Sequence, residues 1–343
     1  MKKIYYITAV FATLFLVGCG DGIDLPGVNV ETDLNKIPLP DNNVNLEQVE
    51  LKPPTEPMLH EGLHTEEDFQ RIRDKKAAGE EPWVSAYQLL VESQFSQKTA
   101  DTYPTEWIKR GISGDENYMN AARGATIVYQ QALRWKIEQD DEYAAKAVEN
   151  LNKWVQTCVG VTGNTNLSLA AGLYGYEFAI AGELLRDYGG WDRADFAAFQ
   201  NWLLKVFYPA NDDFLKRHHD TNALHYWANW CLCNIAAKMA IGIVTDRRDI
   251  YNEGIDHLQT GDTNGRLRRA IYHDYAPDYN FAQWQESGRD QGHTLMCVGL
   301  MGIICQLAWS QGDDFFAYDD NLFMRACEYA ACCNYTNEIG RAS

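Results

Sequence analysis

Residues 295–316 read LMCVGLMGIICQLAWSQGDDFF: an apolar run, an acidic turn and an aromatic pair that opens the next segment. The same order occurs twice earlier, around the turns EQDDEY at 138–143 and TDRRDIY at 245–251. Each time, the segment before the turn is apolar on most helical faces, and the segment after it is more polar. Such helix pairs are typical of a ring whose inner helices are covered on both sides and whose outer helices are covered on one.

The chain from Leu59 onward has a helical pattern nearly throughout, and we find no convincing strand alternation. We therefore predict an all-α fold in which inner and outer helices form a closed ring. An open superhelix of helix pairs is the alternative. Its inner and outer helices would differ less in polarity than these segments do.

The N-terminal segment has the features of an export signal. A basic start, MKK, precedes an apolar run that is short for a membrane span, and the run ends in LVGC at Cys19. This resembles a bacterial lipobox, and an ordinary secretory signal is the alternative. We expect a lipoprotein signal peptide over 1–18, a flexible tether over 19–58 and a folded domain over 59–343. A lipid on Cys19 would anchor an exported bacterial lipoprotein in the periplasm or at the outer-membrane or cell surface.

The composition narrows the classes of partner. The formal net charge is −18, which argues against nucleic acid. Apart from Cys19, the cysteines lie in apolar segments and are expected to be buried thiols. No histidine pair has the spacing of a zinc-protease helix, so we expect no metal. No dinucleotide or phosphate-loop motif indicates an organic cofactor.

A polar segment directly precedes the apolar run of the opening stretch. Residues 283–294 read QWQESGRDQGHT, and in a ring they would lie where an inner helix meets the central cleft. The unpaired N–H groups and the positive dipole end of a helix N-terminus suit an anionic ligand. The predicted ligand contacts in this segment are Trp284, Gln285, Glu286, Arg289 and His293.

Two further segments place polar side chains before apolar helices. Residues 216–230 read KRHHDTNALHYWANW, and residues 161–178 read VTGNTNLSLAAGLYGYEF. We expect both to reach the same cleft as the first polar segment. The candidate contacts are Asn166 in the second stretch and Asn222, His225, Tyr226, Trp227 and Asn229 in the first.

Residues 265–280, GRLRRAIYHDYAPDYN, form a basic and tyrosine-rich segment. Arg269 is a candidate ligand contact, and the tyrosines are candidate proton donors. We expect the basic residues of all these segments to gather at one cleft, because a focused positive patch can hold a polyanion in a protein of negative charge. The predicted patch contains Lys216, Arg217, Arg266, Arg268, Arg269 and Arg289.

These residue types fit β-elimination in a uronic acid polymer. A base removes the C5 proton beside the carboxylate, and an acid protonates the 4-O leaving group. Asparagine, arginine or protonated histidine neutralises the carboxylate, so that the developing charge is stabilised. No nucleophile elbow or phosphate loop in the sequence indicates a competing chemistry.

The segments HYWANW (225–230) and QWQESGRDQGH (283–293) resemble the alginate-lyase-like polysaccharide lyases, with the greatest likeness to polysaccharide lyase family 38. The segment TDRRDIY also resembles family 5 alginate lyases. The resemblance implies an (α/α) toroid, an incomplete ring of about six or seven helical hairpins. It implies lyase action on alginate or glucuronan without cofactors, with an anionic polysaccharide as partner, no nucleic acid, and membrane contact only through the lipid.

The same resemblance implies catalytic roles. His225 is the base or neutraliser, next to Asn222, and Arg289 is the cation that faces the carboxylate. Tyr272 or Tyr279 is the acid. His219 is an alternative to His225, and Tyr275 is an alternative to the other tyrosines.

Two other functions stay open at this stage. A glycoside hydrolase on the same ring would need two carboxyl groups across a sugar, and Glu286, Asp290 and Asp220 are the candidates. Two carboxyl groups one helical turn apart suit that reaction poorly. A glycan-binding lipoprotein without activity would hold sugars with Trp227, Trp230 and Trp284.

Overall fold

The computed structural model describes residues 49–276 and 280–336. Its helices are α1 (Glu66–Ala77), α2 (Trp83–Glu92), α3 (Tyr118–Glu138), α4 (Asp141–Thr157), α5 (Leu167–Leu185), α6 (Arg193–Val206), α7 (Tyr208–Arg217), α8 (Ala228–Val244), α9 (Arg248–Thr260), α10 (Leu267–Ala270), α11 (Gln291–Ser310) and α12 (Tyr318–Thr336). Short 3-10 helices cover Gln94–Ser96, His218–Asp220 and Gln285–Gly288. The strands are β1 (Trp107–Arg110), β2 (Gly160–Gly163), β3 (Ile271–Asp274) and β4 (Ala282–Trp284).

Burial separates the helices into two kinds. Helix α5 buries 17 of its 19 residues and α8 buries 16 of 17, whereas α4 buries 7 of 17 and α9 buries 7 of 13. A helix that is buried on all faces is covered by protein all round, and one that is half buried lies at the surface. The predicted difference between inner and outer helices is therefore confirmed, and the fold is an (α/α) toroid.

The inner helices follow one another around the ring. Helix α3 packs on α5, α5 packs on α8, and α8 packs on α11. The three acidic turns of the sequence join α3 to α4, α8 to α9 and α11 to α12, as predicted. Helices α5 and α8 approach closely at Gly172, where an added Cβ would lie 2.5 Å from Sγ of Cys233. Packing therefore requires glycine at this position.

Two small sheets were not expected from the sequence. Strands β1 and β2 pair in parallel, with Trp107 beside Gly160 and Arg110 beside Gly163. Strands β3 and β4 pair antiparallel. Each has at most four residues, which is too short for an alternating pattern to be recognised.

Residues 49–65 form an N-terminal strap on the outside of the ring. The strap follows α9 from its end to its beginning and then reaches the turn after α11. Buried side chains of the ring form hydrogen bonds with the backbone of the strap. These pairs are Gln259 with Val49, Arg248 with Pro57, and Gln311 with Leu59. The folded part therefore includes residues before the predicted boundary at Leu59.

Some predictions fall on residues that the structure does not describe. The signal peptide, Cys19 and most of the tether lie in residues 1–48, and Tyr279 lies in residues 277–279, all outside the described residues. Among the other cysteines, five are buried as expected, but Cys332 is exposed because it lies on the outer helix α12. The buried ones are Cys158, Cys231, Cys233, Cys297 and Cys305.

Candidate active site

A cleft opens where the N-terminal ends of the inner helices α3, α5, α8 and α11 come together. It contains about 650 Å³ of space outside protein atoms, part of it open to solvent. We call the lining residues on or next to β1, α3 and α5 the Arg110 side, and those on or next to α8 and α11 the Arg289 side. The Arg110 side consists of Arg110, Glu116, Tyr118, Asn166 and Leu169, and the Arg289 side of Asn229, Trp230, Arg289, His293 and Met296.

The helix directions make this cleft favourable for negative charge. Each inner helix presents its first turn, where backbone N–H groups lack partners within the helix and the dipole is positive. The polar segments thus lie at the N-terminal ends of inner helices, as predicted. Four residues predicted from the sequence lie together in the cleft: Asn166, Asn229, Arg289 and His293.

Arg289 is held between an aromatic ring and a carboxylate. Its guanidinium carbon lies 5.3 Å from the centre of the Trp227 ring. Its Nη1 lies 3.4 Å from Oε2 of Glu286, and the side chain stays 31% exposed. The stacking and the ion pair fix the direction of the guanidinium, while its exposed part can meet a ligand in the cleft.

Asn229 is fixed by the same carboxylate. Glu286 is fully buried, and its Oε1 accepts the Asn229 side-chain amide as well as the Asn229 backbone N–H at 3.3 Å. Burial raises the pKa of Glu286, while Arg289 and the Asn229 bonds act in the opposite direction. Next to it, Gln285 accepts the Ala228 N–H at 2.8 Å. Glu286 and Gln285 therefore hold the beginning of α8 rather than a ligand.

His293 and Asp290 form a pair at the beginning of α11. Asp290 is the N-cap, and its Oδ1 accepts the His293 backbone N–H at 2.8 Å. Its Oδ2 lies 2.6 Å from Nδ1 of the His293 ring. Partial burial favours a neutral Asp290, but the hydrogen bonds from His293 outweigh this and lower the pKa of the carboxyl. With Nδ1 bonded, Nε2 is the ring nitrogen that can act on a ligand.

The Arg110 side contains a stack of three residues. The Arg110 guanidinium carbon lies 4.6 Å from the centre of the Tyr118 ring, and Tyr118 is stacked on Tyr174 with ring centres 6.5 Å apart. Arg110 is only 6% exposed. Sequence reasoning missed Arg110, Glu116 and Tyr118, which lie in and after β1. The one signal was a basic pair, Lys109-Arg110, before a glycine turn.

Asn166 lies at the entrance of α5 on the same side of the cleft. The backbone N–H and side-chain amide of Asn166 both donate to Oδ1 of Asn164, at 2.9 and 3.0 Å. The Asn166 side chain does not cap its helix. Asn166 lines the cleft, and its prediction as a cleft residue is consistent with this position.

The predicted pair Asn222 and His225 does not line the cleft as far as the structure describes it. Both are exposed on the loop before α8. Asn222 accepts the Leu224 N–H at 2.8 Å, and the His225 ring packs edge-on against Tyr226, whose own ring is buried. The alternative His219 contacts Oγ of Ser168 at 3.0 Å. The histidine in the cleft is therefore His293.

Trp284 was predicted as a ligand contact and is a core residue instead. It is fully buried, and its Nε1 donates to the Ala326 carbonyl at 3.1 Å. Tyr226 is buried against Phe214 and Trp230. Because these rings have almost no exposed surface, a sugar cannot stack on them. Trp227 acts through Arg289, as described above.

The predicted six-residue basic patch is wrong apart from Arg289. Three of its members pair with carboxylates close by, and a fourth bonds a backbone carbonyl. Lys216 pairs with Asp212, Arg217 with Asp213, Arg268 with Asp274, and Arg269 donates to the carbonyl of Asp262. The positive charge of the cleft comes from Arg289 and Arg110.

Tyr272 and Tyr275 of the β3–β4 hairpin are not among the residues that line the cleft. The Tyr275 hydroxyl donates to Oε1 of Gln283 at 2.7 Å. Tyr272 is half-buried, and burial raises its pKa. Among the described residues, the tyrosine that lines the cleft is Tyr118. Within the same residues, no group of three metal-binding side chains occurs.

Comparisons with known proteins agree with this architecture. The profile of the family described as alginate lyase matches residues 73–336. A variant of alginate lyase A1-III complexed with a tetrasaccharide has a TM-score of 0.63 and 13% identity, over 82% of this chain and 79% of that chain. Alginate lyase A1-III from Sphingomonas species A1 gives 0.57 and 12%, over 82% and 80%. An alginate lyase from Bacteroides ovatus gives 0.56 and 13%, over 80% and 83%. At these identities the likeness shows the fold alone. No curated protein sequence matches the chain.

Proposed function

The chain belongs to the alginate lyase family, and from this premise we propose that it is a polysaccharide lyase that cleaves a uronic acid polymer by β-elimination. Alginate is the first candidate substrate and glucuronan the second. The observation that carries the proposal is the meeting of Arg289, Asn229 and His293 in one cleft with Arg110 and Tyr118. Together they supply a cation, an amide, a base and a phenol.

Carboxylate neutralisation is assigned to Arg289 and Asn229. When C5 loses its proton, negative charge spreads onto the adjacent carboxylate, and fixed donors stabilise that charge more than they stabilise the ground state. Arg289 is fixed by Trp227 and Glu286, and Asn229 by Glu286. Donors that are already fixed need little reorganisation during the reaction.

The base is assigned to Nε2 of His293. A neutral imidazole accepts the C5 proton, and Oδ2 of Asp290 holds the Nδ1–H and stabilises the imidazolium that forms. The electron pair of the C5–H bond forms the C4–C5 double bond as the bond from C4 to the leaving oxygen breaks. His293 afterwards returns its proton to water.

The acid is assigned to the Tyr118 hydroxyl, which donates a proton to the leaving oxygen. Arg110 lies on the Tyr118 ring, and its positive charge stabilises the phenolate that remains until water restores the proton. Tyr272, which the resemblance suggested, is the second candidate. The variants Tyr118→Phe and Tyr272→Phe distinguish the two.

A hydrolase is disfavoured by the state of the carboxyl groups. Hydrolysis needs two carboxyl groups on either side of a glycosidic bond. Glu286 is fully buried behind Asn229, and Asp290 is bonded to His293. Of the described residues, Glu116 is the one carboxylate that lines the cleft.

The test is incubation with alginate and glucuronan while near-ultraviolet absorbance and new reducing ends are both measured. A lyase produces one unsaturated end, with a C4–C5 double bond, for each new reducing end. The matched control is His293→Ala, which removes the proposed base. New reducing ends without absorbance would indicate hydrolysis, and tight binding without either signal would indicate a glycan-binding protein.

We also propose that the protein is an exported lipoprotein anchored through Cys19, which the LVGC sequence supports. The anchor would keep the domain at a membrane surface without a spanning segment. The test is fractionation of cells that express the wild type or Cys19→Ser. We expect the wild type in the membrane fraction and the variant in the soluble fraction, and equal distribution would contradict the anchor.

A further inference from the structure

Arg110 differs from every other buried arginine that the structure describes. The others each have oxygen acceptors: Arg134 has Glu138, Arg186 has Glu183, Arg248 has backbone carbonyls of the strap, and Arg325 has Asp274. Arg110 has no side-chain hydrogen bond or ion pair among the described residues. Its buried Nη1 is without a partner; so is Nη1 of Arg248, but the other nitrogens of Arg248 are bonded. A buried guanidinium that lacks an acceptor is costly, so the acceptor is expected from outside the chain.

The surroundings of Arg110 define the missing group. Arg110 lines the cleft, and its guanidinium lies on the face of the Tyr118 ring. Stacking on a ring leaves the N–H groups at the edge of the guanidinium, which matches the two oxygens of a carboxylate. Glu116, the nearby acid of the same side, accepts the Gly111 N–H instead. Among the described residues, the guanidinium therefore has no carboxylate partner on this side of the cleft.

The two arginines of the cleft are not equivalent. Arg289 is partly neutralised by Glu286 at 3.4 Å and by Asp290 at 3.8 Å. Arg110 has no carboxylate within ion-pair distance in the described part of the chain. Both line one cleft, Arg110 from β1 and Arg289 from the turn before α11. Each guanidinium offers paired N–H groups to a carboxylate, so two carboxylates on one ligand would give each arginine a partner of its own.

We propose that Arg110 binds the carboxylate of a second uronate in the same substrate chain, apart from the uronate that loses its C5 proton at Arg289. This inference rests on the proposed function and makes it more specific. Arg110 thereby contributes to discrimination between chains of consecutive uronates and chains in which uronates alternate with neutral sugars. Arg110 is thus a specificity-determining residue.

The test measures binding separately from catalysis. In a His293→Ala background, calorimetry gives the Kd for a saturated mannuronate tetramer and for a hyaluronan tetrasaccharide, in which uronates alternate with neutral sugars. Adding Arg110→Gln is expected to weaken binding of the mannuronate tetramer by about 10- to 100-fold, the range for a charge-assisted pair. Hyaluronan tetrasaccharide is expected to bind weakly to both proteins, with little further loss.

The matched control is Lys109→Gln, which removes one positive charge from the neighbouring residue of β1. Lys109 pairs with Asp115 at 2.6 Å and does not line the cleft. We expect the mannuronate Kd to change little in this variant. Thermal unfolding of both variants reports whether the stack on Tyr118 is needed for folding.

Two results would overturn the inference. One is an equal effect of Arg110→Gln and Lys109→Gln on the mannuronate Kd, which would show a general charge effect. The other is an equal loss of affinity for both tetrasaccharides in Arg110→Gln. Either result can occur while the wild type still produces unsaturated ends from alginate, in which case the proposed function stands and the second subsite fails.

Discussion

One carboxylate, that of Asp290, bonds both the backbone and the ring of His293, at 2.8 Å to the N–H and 2.6 Å to Nδ1. The first bond caps α11, and the second orients the imidazole. Helix stability and the direction of the proposed base therefore depend on the same side chain.

Asp290→Asn separates these two effects. Asparagine caps a helix about as well as aspartate, so the midpoint of thermal unfolding should change little. It carries no charge to stabilise the imidazolium, so kcat/KM should fall by about 100-fold or more. Asp290→Ala should lose the activity and, in addition, about 1 kcal/mol of unfolding free energy. An Asn variant with wild-type kcat/KM would remove Asp290 from the mechanism.

His293→Ala and His225→Ala test which histidine is the base. We expect the first to lower kcat by about 100- to 10,000-fold, because it removes the proton acceptor. His225 is exposed on the loop before α8 and contacts Tyr226, so its replacement should leave kcat near the wild-type value. Steady-state rates of double-bond formation decide the matter. The reverse pattern would return the site to the position suggested by the sequence resemblance.

Tyr118→Phe and Tyr272→Phe test the proton donor. Tyr118 lines the cleft, so loss of its hydroxyl should lower kcat by about 100-fold or more while KM changes less. Tyr272→Phe should retain activity. If Tyr272→Phe is inactive and Tyr118→Phe is active, the β3–β4 hairpin supplies the acid. Arg110 then contributes to ligand binding and does not stabilise a Tyr118 phenolate.

Because of His218, we expect the free energy of unfolding to fall in acid. Burial, and then the positive charges of His219 and His225, lower its pKa to about 4. The unfolded imidazole takes up a proton near pH 6.5. Between these two values the unfolded state binds more protons, so the unfolding free energy falls as pH falls, by up to about 1.4 kcal/mol per pH unit. Urea unfolding across this range should show a smaller pH slope in His218→Gln, and an unchanged slope would contradict the assignment.

Gly172→Ala tests the packing of α5 on α8. An added methyl group would meet Sγ of Cys233 at 2.5 Å, and such overpacking costs about 1–3 kcal/mol. Gly189→Ala is the control, because nothing lies within 4 Å of its added Cβ. Chemical denaturation should show a lower unfolding free energy for the first variant alone. Equal stabilities would mean that α5 and α8 can separate without cost.

The fold was predictable because a helix covered by protein on more sides has more apolar residues in its sequence. The apolar runs that became α5, α8 and α11 and the polar segments that became α4 and α9 could be recognised in the sequence. The position of Asn229, Arg289 and His293 at one cleft followed from the same ring, since inner helices expose their ends at the centre.

The Arg110 side of the cleft could not be predicted in this way. Arg110 and Tyr118 lie on a four-residue strand and at the beginning of α3, and the pairing of β1 with β2 brings them to the cleft. That pairing joins segments about 50 residues apart and has no local signal. The basic patch failed for a reason that the sequence did contain: Lys216 and Arg217 each follow an aspartate by four residues, the spacing of an ion pair on a helix.

The N-terminal strap has a practical consequence for the laboratory. An expression clone that begins at Leu59, the domain boundary suggested by the sequence, would lack the backbone groups that bond Gln259 and Arg248. Those two side chains are buried in the folded protein. Without the strap they would lose their hydrogen-bond partners and be exposed to water. Recombinant protein intended for the assays above should therefore start upstream of Val49.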